Sequence, residues 1–224
     1  MSRRVGLIVP SSNTVAEVDF YRRLPATATL HTARMYLEDV TPEAEGTMLD
    51  EHLPHAVADI RTTRSDVVVF ACTSAGALRG NAEEEALIAS ISGQTGALTV
   101  SVAAAVRAAI ESRRARRIGV ITPYVTSLND KIRASLEEDG LEVAAIYGMD
   151  IVDNQEIGAV EPERIIRFAC DCFEASAVDL LFVSCTNFRA VEAREPIEEL
   201  LGVPVVTSNH AALEAVLGRT AALA

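Results

Sequence analysis

The chain has 224 residues, carries a formal net charge of −12 at pH 7, and is 49% hydrophobic. This length suits one large domain or two small ones, and the apolar content suffices for a folded core. The negative charge argues against nucleic acids and anionic membranes as partners, because both attract basic surfaces.

The N-terminus gives no sign of a secretion signal. Met1–Arg4 runs straight into a short apolar segment, without the longer apolar region and cleavage site of a signal peptide. No stretch of about 18 uncharged apolar residues predicts a membrane span. We therefore expect a cytoplasmic protein whose four cysteines are reduced thiols.

Eight short apolar runs predict β-strands. The run Val67–Ala71 is almost wholly apolar, as expected for a strand buried on both faces of a sheet. The eight predicted strands are Val5–Val9, Leu30–Tyr36, Val67–Ala71, Leu98–Val100, Ile118–Ile121, Glu142–Ala145, Leu180–Ser184 and Val203–Val206.

Amphipathic segments between these runs predict helices. Thr41-Pro42 supplies an N-cap and a first-turn proline for a helix through about Arg61, and Glu161-Pro162 begins another through about Ala175. Strands that alternate with helices indicate an α/β fold, with a mainly parallel, doubly wound sheet and helices on both faces.

An internal repeat divides the chain into two similar units. Arg4–Pro10 (RVGLIVP) matches Arg117–Pro123 (RIGVITP), and Asp66–Thr73 (DVVVFACT) matches Asp179–Thr186 (DLLFVSCT), both at an offset of 113 residues. A looser match relates residues 95–100 to residues 201–206. Two such units commonly face each other across a pseudo-twofold axis, and ligands favour the cleft between them.

We place the division between the units near residue 100. Residues 1–100 are expected to form the first α/β half, completed by a C-terminal helix at residues 210–224. Residues 101–209 are expected to form the second half. The helical stretch at the junction carries four arginines between residues 113 and 117, which we interpret as a solvated helix end.

Cys72 and Cys185 occupy matched positions at the ends of two predicted strands. Ligands bind at the carboxyl ends of parallel strands, and a helix that starts there offers free N–H groups and partial positive charge. Such a setting is expected to lower a thiol pKa and to hold a carboxylate. We therefore predict that the two sulfurs face one ligand from opposite sides.

Other interpretations of the cysteines carry less weight. A single cysteine at a strand end is often a packing residue, but two at matched repeat positions are harder to explain that way. No Cys-x-x-Cys motif or histidine cluster accompanies them, so no metal site and no metal cofactor is predicted. Cys170 and Cys172 lie two residues apart in a predicted helix and therefore on different faces, which indicates packing.

Further polar residues follow the same strand ends. Those expected to contact substrate are Ser11, Asn13, Thr73, Ser74, Tyr124, Asn154, Thr186 and Asn187. Simple helix capping is the alternative for Ser11 and its neighbour Ser12. The polar run Asp153–Glu156 is interpreted as a loop, lying either over the cleft or on the surface. His210 follows the last strand, where the default is a residue at a helix start.

These motifs resemble the aspartate/glutamate racemase superfamily, most closely its maleate cis–trans isomerase branch. The likeness covers essentially the whole chain. It is carried by Pro10–Thr14, Cys72–Ser74, Thr122–Tyr124, Val152–Asn154 and Ser184–Asn187.

The resemblance implies Cys72 as nucleophile, Cys185 as opposing acid/base thiol, and Asn13, Tyr124 and Asn154 as ligands of substrate carboxylates. It also implies a cofactor-independent enzyme, a small dicarboxylate substrate and a homodimer. Related arylmalonate decarboxylases keep only the second cysteine, so the presence of Cys72 argues against that branch. A branch associated with ectoine breakdown shares much of the pattern and stays open.

The implied reaction converts maleate to fumarate through a covalent succinyl-thioether on cysteine. One alternative is a two-thiol amino-acid racemase, which needs a carboxylate such as Asp153 or Glu156 to bind the substrate ammonium group. Another is a non-catalytic domain that binds small molecules. Without the resemblance, the residues do not distinguish which cysteine attacks.

Overall fold

The computed structural model describes residues 3–173 and 177–222. All eight predicted strands are present, in two sheets of four parallel strands each. The first sheet has the order β2-β1-β3-β4 and the second the order β6-β5-β7-β8. The strands are β1 (Arg3–Pro10), β2 (Ala28–Met35), β3 (Val67–Phe70), β4 (Leu98–Ser101), β5 (Arg117–Thr122), β6 (Glu142–Gly148), β7 (Leu180–Val183) and β8 (Val205–Thr207).

Helices connect consecutive strands, as parallel pairing requires. Those before β5 are α1 (Ala16–Arg23), α2 (Pro42–Thr47), α3 (Leu53–Arg61), α4 (Thr73–Ala77), α5 (Asn81–Thr95) and α6 (Val102–Ser112). Those after it are α7 (Thr126–Glu138), α8 (Asn154–Gly158), α9 (Pro162–Phe173), α10 (Ala190–Leu201) and α11 (Ser208–Ala222).

The two predicted proline-started helices are present. The first is interrupted, because a π-helical turn over Met48–His52 joins α2 to α3. The second, α9, is described as far as Phe173, so its predicted end at Ala175 lies outside the described residues. None of the described helices is long and apolar enough to cross a membrane.

The α/β fold with two similar halves is therefore confirmed. Residues at matched positions of the repeat also make equivalent hydrogen bonds. The Asp66 carboxylate accepts the backbone N–H of Arg4 at 2.8 Å, and Asp179 accepts that of Arg117 at the same distance. Each aspartate thus ties the start of a central strand to its neighbour. The inner strands β3 and β7 are buried throughout, and each large apolar side chain buried there stabilises the fold by about 1.5–3 kcal/mol.

The looser repeat match marks two helix ends. Gly96 ends α5 with φ of 70° and Gly202 ends α10 with φ of 66°. A left-handed residue at this position lets the chain turn back into the next strand, and glycine adopts it without a Cβ clash. The repeat therefore preserves a backbone requirement as well as a hydrophobic pattern.

The halves pair with each other at equivalent connections. Asp39, before α2, and Asp153, before α8, form an isolated antiparallel bridge. The Val40 N–H donates to the Val152 carbonyl at 2.8 Å beside it. Equivalent segments that meet antiparallel are what a twofold relation between halves produces.

The C-terminal helix α11 packs against α6 and α1 and against the strands β3 and β4 of the first sheet. The chain thus returns to its first half at the end. The division of the chain at residue 100 stays a prediction.

Candidate active site

Cys72 lies at the carboxyl end of the central strand β3, where the chain turns into α4. It occupies the N-cap position of that helix, as expected, and is only 4% exposed. Its sulfur lies 3.9 Å from the Ser74 hydroxyl and 3.9 Å from Oε1 of Glu45, a residue of α2. The thiol therefore sits between a hydroxyl and a carboxyl group.

Cys185 follows β7 at the matched place, but the expected helix does not start there. Residues 186–189 form a turn, α10 begins only at Ala190, and Cys185 itself has φ of 111°. This conformation is strained for a residue with a Cβ, which is common at functional sites. The turn directs the Asn187 N–H to the Cys185 sulfur at 3.2 Å, so a turn supplies the donor that a helix was expected to supply.

One hydroxyl joins the two cysteine motifs. Ser208, the first residue of α11, accepts the Cys185 backbone N–H at 3.0 Å and the Thr73 hydroxyl at 2.9 Å. Thr186 adds a second link, because its hydroxyl donates to the Ala71 carbonyl at 3.2 Å. The sequence motifs are therefore brought together in one buried constellation.

Cys185 also affects the ionisation of Cys72. Burial and then Glu45 are the main causes that raise the pKa of Cys72, and the neighbouring Cys185 raises it further. Both are buried, Cys185 being 5% exposed. The sulfurs thus share one interior site rather than belonging to separate cores.

The predicted lowering of the thiol pKa values is wrong for this closed conformation. Burial raises the pKa of Cys72 well above its usual value, and burial raises that of Cys185 to about 12. Desolvation outweighs the nearby N–H donors, because a thiolate without water is costly. The thiols rest in their protonated forms while the site stays closed.

Tyr124 contributes a phenol hydroxyl to the site around the two cysteines. It follows β5 and is buried, and its hydroxyl is a hydrogen-bond partner that lowers the pKa of Cys185. Its own pKa is raised well above the usual value, by burial first and then by the two cysteines. Tyr124 therefore remains a neutral donor beside both sulfurs, as binding of an anion requires.

The predicted amide residues are buried, but they are engaged with one another across the halves. The Asn13 oxygen accepts the N–H groups of Val15 and Ala16 at the start of α1, and its nitrogen donates to the Thr186 hydroxyl at 3.0 Å. Capping and an inter-half contact are thus combined in one side chain.

Asn154 and Asn187 form a second pair between the cysteine turn and α8. The Asn187 nitrogen donates to the Asn154 carbonyl at 2.6 Å, and the Asn154 nitrogen donates to the Ser12 hydroxyl at 2.7 Å. The Asn187 oxygen accepts the Thr14 N–H at 2.8 Å. These contacts order the strand-end loops of both halves around the thiols.

Ser11 and the polar run after β6 are placed differently from expectation. The Ser11 hydroxyl accepts the Leu37 N–H at 3.0 Å and so fixes the chain after β2, and it caps no helix. The run Asp153–Glu156 is not a loop, because Asp153 caps the short helix α8 through the N–H groups of Gln155 and Glu156. Asp153 and Glu156 are exposed, so neither belongs to the buried shell.

The remaining sequence candidates lie outside this shell. Cys170 and Cys172 are half-buried on α9, in line with packing. His210 is half-buried near the start of α11 and lies 3.7 Å from Glu214 of the same helix.

Two residues of the site were not predicted. Ser208 lies two residues before His210, but a single serine after a predicted strand does not indicate a site residue. Glu45 did carry a signal. It falls on the apolar stripe that continues with Leu49, Leu53, Ala56 and Ile60, and this helical spacing places it inside the protein.

Comparison with known proteins supports the resemblance seen in the sequence. A family model described as arylmalonate decarboxylase matches residues 5–223. The chain is 29% identical to a maleate isomerase of Geobacillus stearothermophilus and 26% identical to an arylmalonate decarboxylase of Bordetella bronchiseptica, in each case over 92% of this chain and 86% of the relative.

A solved structure is similar over nearly the full length. It is a cysteine-to-serine mutant of the maleate cis-trans isomerase of Nocardia farcinica, with a covalently bound succinylcysteine intermediate. The identity is 28% and the TM-score 0.89, covering 97% of this chain and 92% of that chain. The expected relationship to maleate isomerases is therefore confirmed.

Proposed function

This chain belongs to the arylmalonate decarboxylase family, and we propose that it catalyses the cofactor-independent cis–trans isomerisation of maleate to fumarate. The coarse conclusion, an isomerase enzyme, rests on its similarity to the maleate isomerases and to the structure with a succinylcysteine. The substrate and the roles of individual residues are the finer part of the proposal.

The observation that carries the proposal is the pair of thiols in one closed site. Cys72 and Cys185 come from equivalent strand ends of the two halves, and Ser208 hydrogen-bonds the Cys185 backbone and the Thr73 side chain. Two thiols on opposite sides of a ligand can act on adjacent carbon atoms of a four-carbon diacid. One sulfur then forms the bond to carbon while the other handles a proton.

The reaction proceeds by addition, rotation and elimination. The Cys72 thiolate adds to one alkene carbon and the π pair takes the proton of the Cys185 thiol at the other carbon. The former double bond is then a single bond, about which the adduct turns. Return of that proton to Cys185 and departure of Cys72 restore the alkene in its trans form. Covalent catalysis replaces one prohibitive step with accessible ones, and the proton transfer contributes about 10²–10⁴ in rate.

Opening of the site provides the thiolate. Burial is the largest cause of the raised Cys72 pKa, so water that enters with the substrate removes most of the penalty. The Ala75 N–H and the Ser74 hydroxyl both lower this pKa and are already in place. Closure then excludes water around the addition step.

Neutral groups surround the thiols, and this suits a substrate that must turn. Among the residues that the structure describes, no buried side chain is a lysine, arginine or histidine. A paired-arginine clamp would hold both carboxylates rigidly, whereas amides, hydroxyls and backbone N–H groups leave one carboxylate able to swing. Asn13, Tyr124 and Asn154 are the proposed carboxylate ligands, with Thr73, Ser74, Thr186 and Asn187 lining the same site.

The test is direct incubation with maleate, followed by proton NMR for fumarate. An arylmalonate and both enantiomers of aspartate and glutamate are run in parallel. Conversion of maleate alone is the expected result. Decarboxylation of the arylmalonate, or deuterium exchange at the α-carbon of an amino acid without isomerisation of maleate, would instead assign the chain to another reaction.

An amino-acid racemase is the second candidate, and Glu45 is the observation that favours it. A racemase needs a carboxylate to bind the substrate ammonium, and Glu45 places a carboxyl group 3.9 Å from the Cys72 sulfur. The exposed Asp153 and Glu156 no longer fit that role. The two candidates therefore differ in the charge that Glu45 must carry.

We also propose that the protein is a homodimer, on the family resemblance alone. Light scattering coupled to size-exclusion chromatography measures the mass directly. A mass near twice the chain's 24.0 kDa is expected, and a mass near 24.0 kDa would reject the proposal.

A further inference from the structure

Glu45 is a buried carboxyl group that the proposed reaction does not use. Its side chain is 0% exposed. Oε1 accepts a short hydrogen bond from the Ser74 hydroxyl and lies next to the Cys72 thiol. Oε2 is buried and has no hydrogen-bond partner among the described residues. Buried polar atoms without partners are rare in native proteins, so this oxygen requires a functional explanation.

Within residues 3–173 and 177–222, no cation acts on a negative charge at this position, and only burial and the Ser74 hydrogen bond shift the pKa of Glu45. The helix α4, which packs against α2, contains no charged residue, and the acidic side chains of the next turn, Asp50 and Glu51, are exposed. The titratable groups that respond to Glu45 are the two cysteines and Tyr124, all of which are uncharged in the closed site. Burial raises the pKa of Glu45 to about 8, so the carboxyl group keeps its proton at neutral pH.

The hydrogen bonds distinguish the two carboxyl oxygens, and we place the proton on the oxygen that has no partner within the described residues. Oε1 already accepts from Ser74, so the proton belongs on Oε2. A neutral carboxylic acid of this kind is a donor that lacks an acceptor within the described part of the chain. In a site built from neutral donors, the missing acceptor is an oxygen of the ligand.

We propose that Glu45 works as a neutral carboxylic acid whose Oε2–H donates a hydrogen bond to a carboxylate oxygen of the substrate. The proposal rests on the proposed dicarboxylate substrate and makes Glu45 a specificity-determining residue. An acid in this form attracts a carboxylate, whereas the ionised form would repel a carboxylate and attract an ammonium group.

The protonated state also favours the thiols. Ionised Glu45 raises the pKa of both Cys72 and Cys185, and the neutral acid removes this contribution. A bound dicarboxylate favours the protonated form further, because its negative charge opposes ionisation of a neighbouring acid. Binding above the pKa of Glu45 must therefore draw a proton from solution.

Proton uptake on binding is the decisive measurement. Succinate, which has no double bond to isomerise, is titrated calorimetrically into the protein in buffers of different ionisation enthalpy. The expected uptake is about a tenth of a proton per site at pH 7, rising to about three quarters at pH 8.5. Uptake that stays near zero at pH 8.5 would overturn the proposal, and this arm needs no variant.

Two variants at position 45 separate donation from charge. Glu45→Gln keeps a neutral donor that does not titrate, so it is expected to bind succinate with a pH-independent affinity and no proton uptake. Glu45→Leu removes the donor and is expected to bind about tenfold more weakly at pH 7, the effect of one lost hydrogen bond. Glu43→Gln, at an exposed position of the same helix, is the matched control and should behave as the native protein does. Equal proton uptake by Glu45→Gln would overturn the proposal.

Turnover distinguishes this inference from the proposed function. With maleate, the ratio of native to Glu45→Gln kcat/KM should fall about tenfold per pH unit above pH 8, because ionisation of the thiols contributes to both enzymes and only the native enzyme titrates at position 45. Proton-linked succinate binding without any isomerisation would retain the role of Glu45 and reject the isomerase. Isomerisation without proton-linked succinate binding would retain the isomerase and reject the role of Glu45. The absence of both proton-linked binding and isomerisation would reject both.

Discussion

The two halves of the molecule share a fold but surround their thiols differently. Cys185 lies in a strained turn with N–H donors from Asn187 and Phe188 and a phenol from Tyr124. Cys72 starts a short helix and has a carboxyl group, Glu45, beside it. Four residues after the helix N-cap, the first half has Glu45 and the second has Ile157, both buried.

This difference indicates that the repeat places the two sulfurs, whereas residues that differ between the halves set their chemical surroundings. A thiol surrounded by neutral donors is suited to hold and return a proton. A thiol beside a titratable carboxyl group depends on the protonation state of that group. The assignment of Cys72 as nucleophile therefore requires that Glu45 stay neutral during the reaction.

Replacement of the proposed nucleophile should have the largest effect. Cys72→Ala removes the sulfur that bonds to carbon, and turnover of maleate is expected to fall at least about 10⁴-fold. Fumarate formation by proton NMR measures it. Cys172→Ala, a half-buried cysteine outside the site, is the control and should retain activity. If Cys72→Ala turned over maleate as fast as the native protein, Cys72 would not be the nucleophile.

The opposing thiol should matter less and in a different way. Cys185→Ser weakens proton transfer, so we expect turnover to fall about 10²–10⁴-fold while addition still occurs. Mass spectrometry after incubation with maleate should locate a succinyl group on Cys72. A succinyl group on Cys185 in the native protein would exchange the two roles.

Glu45 should also make stability depend on pH in the first half. Its pKa is raised by burial from 4.5 to about 8, so the protonated acid stabilises the fold fully below pH 4.5, and this contribution is lost as pH rises to about 8. The free energy of unfolding of Glu45→Gln, measured in urea, should therefore rise relative to that of the native protein by about 4 kcal/mol between pH 5 and pH 8.5. A difference that does not change with pH would mean that Glu45 does not titrate in the folded protein.

The contacts between the halves should contribute a smaller amount. Asn187→Ala removes the donor to the Asn154 carbonyl and the acceptor of the Thr14 N–H. Loss of these buried bonds is expected to lower the free energy of unfolding by about 1–3 kcal/mol, measured in urea. An unchanged value would indicate that water replaces the amide and that the halves do not depend on it.

Surface ion pairs should have the smallest effect in either half. Arg79 pairs with Asp50 in the first half and Arg189 pairs with Glu192 in the second, all near solvent. Alanine at either arginine is expected to leave the urea midpoint nearly unchanged, because exposed pairs are screened by water and salt. A large fall in the urea midpoint for one variant alone would mean that the halves also differ in how much their surface ion pairs contribute to stability.

The sequence predicted the framework better than the details of the site. Buried apolar runs and the repeat sufficed for eight strands and for the matched cysteines, because hydrophobic pattern determines which segments enter a sheet. The helix expected directly after Cys185 is absent. The residues that follow the two cysteines are similar in type, but this similarity does not determine whether the chain forms a helix or the turn seen at Asn187 and Phe188. The thiol pKa values were also wrong in direction, because burial is a property of the assembled fold and local motifs do not reveal it.

The return of α11 to the first sheet has a consequence for synthesis of the protein. The strands β3 and β4 contact this helix, which follows them by more than a hundred residues. As the chain leaves the ribosome, the first half emerges first, yet part of its sheet stays uncovered until α11 has been synthesised. A stalled or truncated chain would thus leave an apolar surface that chaperones recognise, and the two halves would reach their mature packing together.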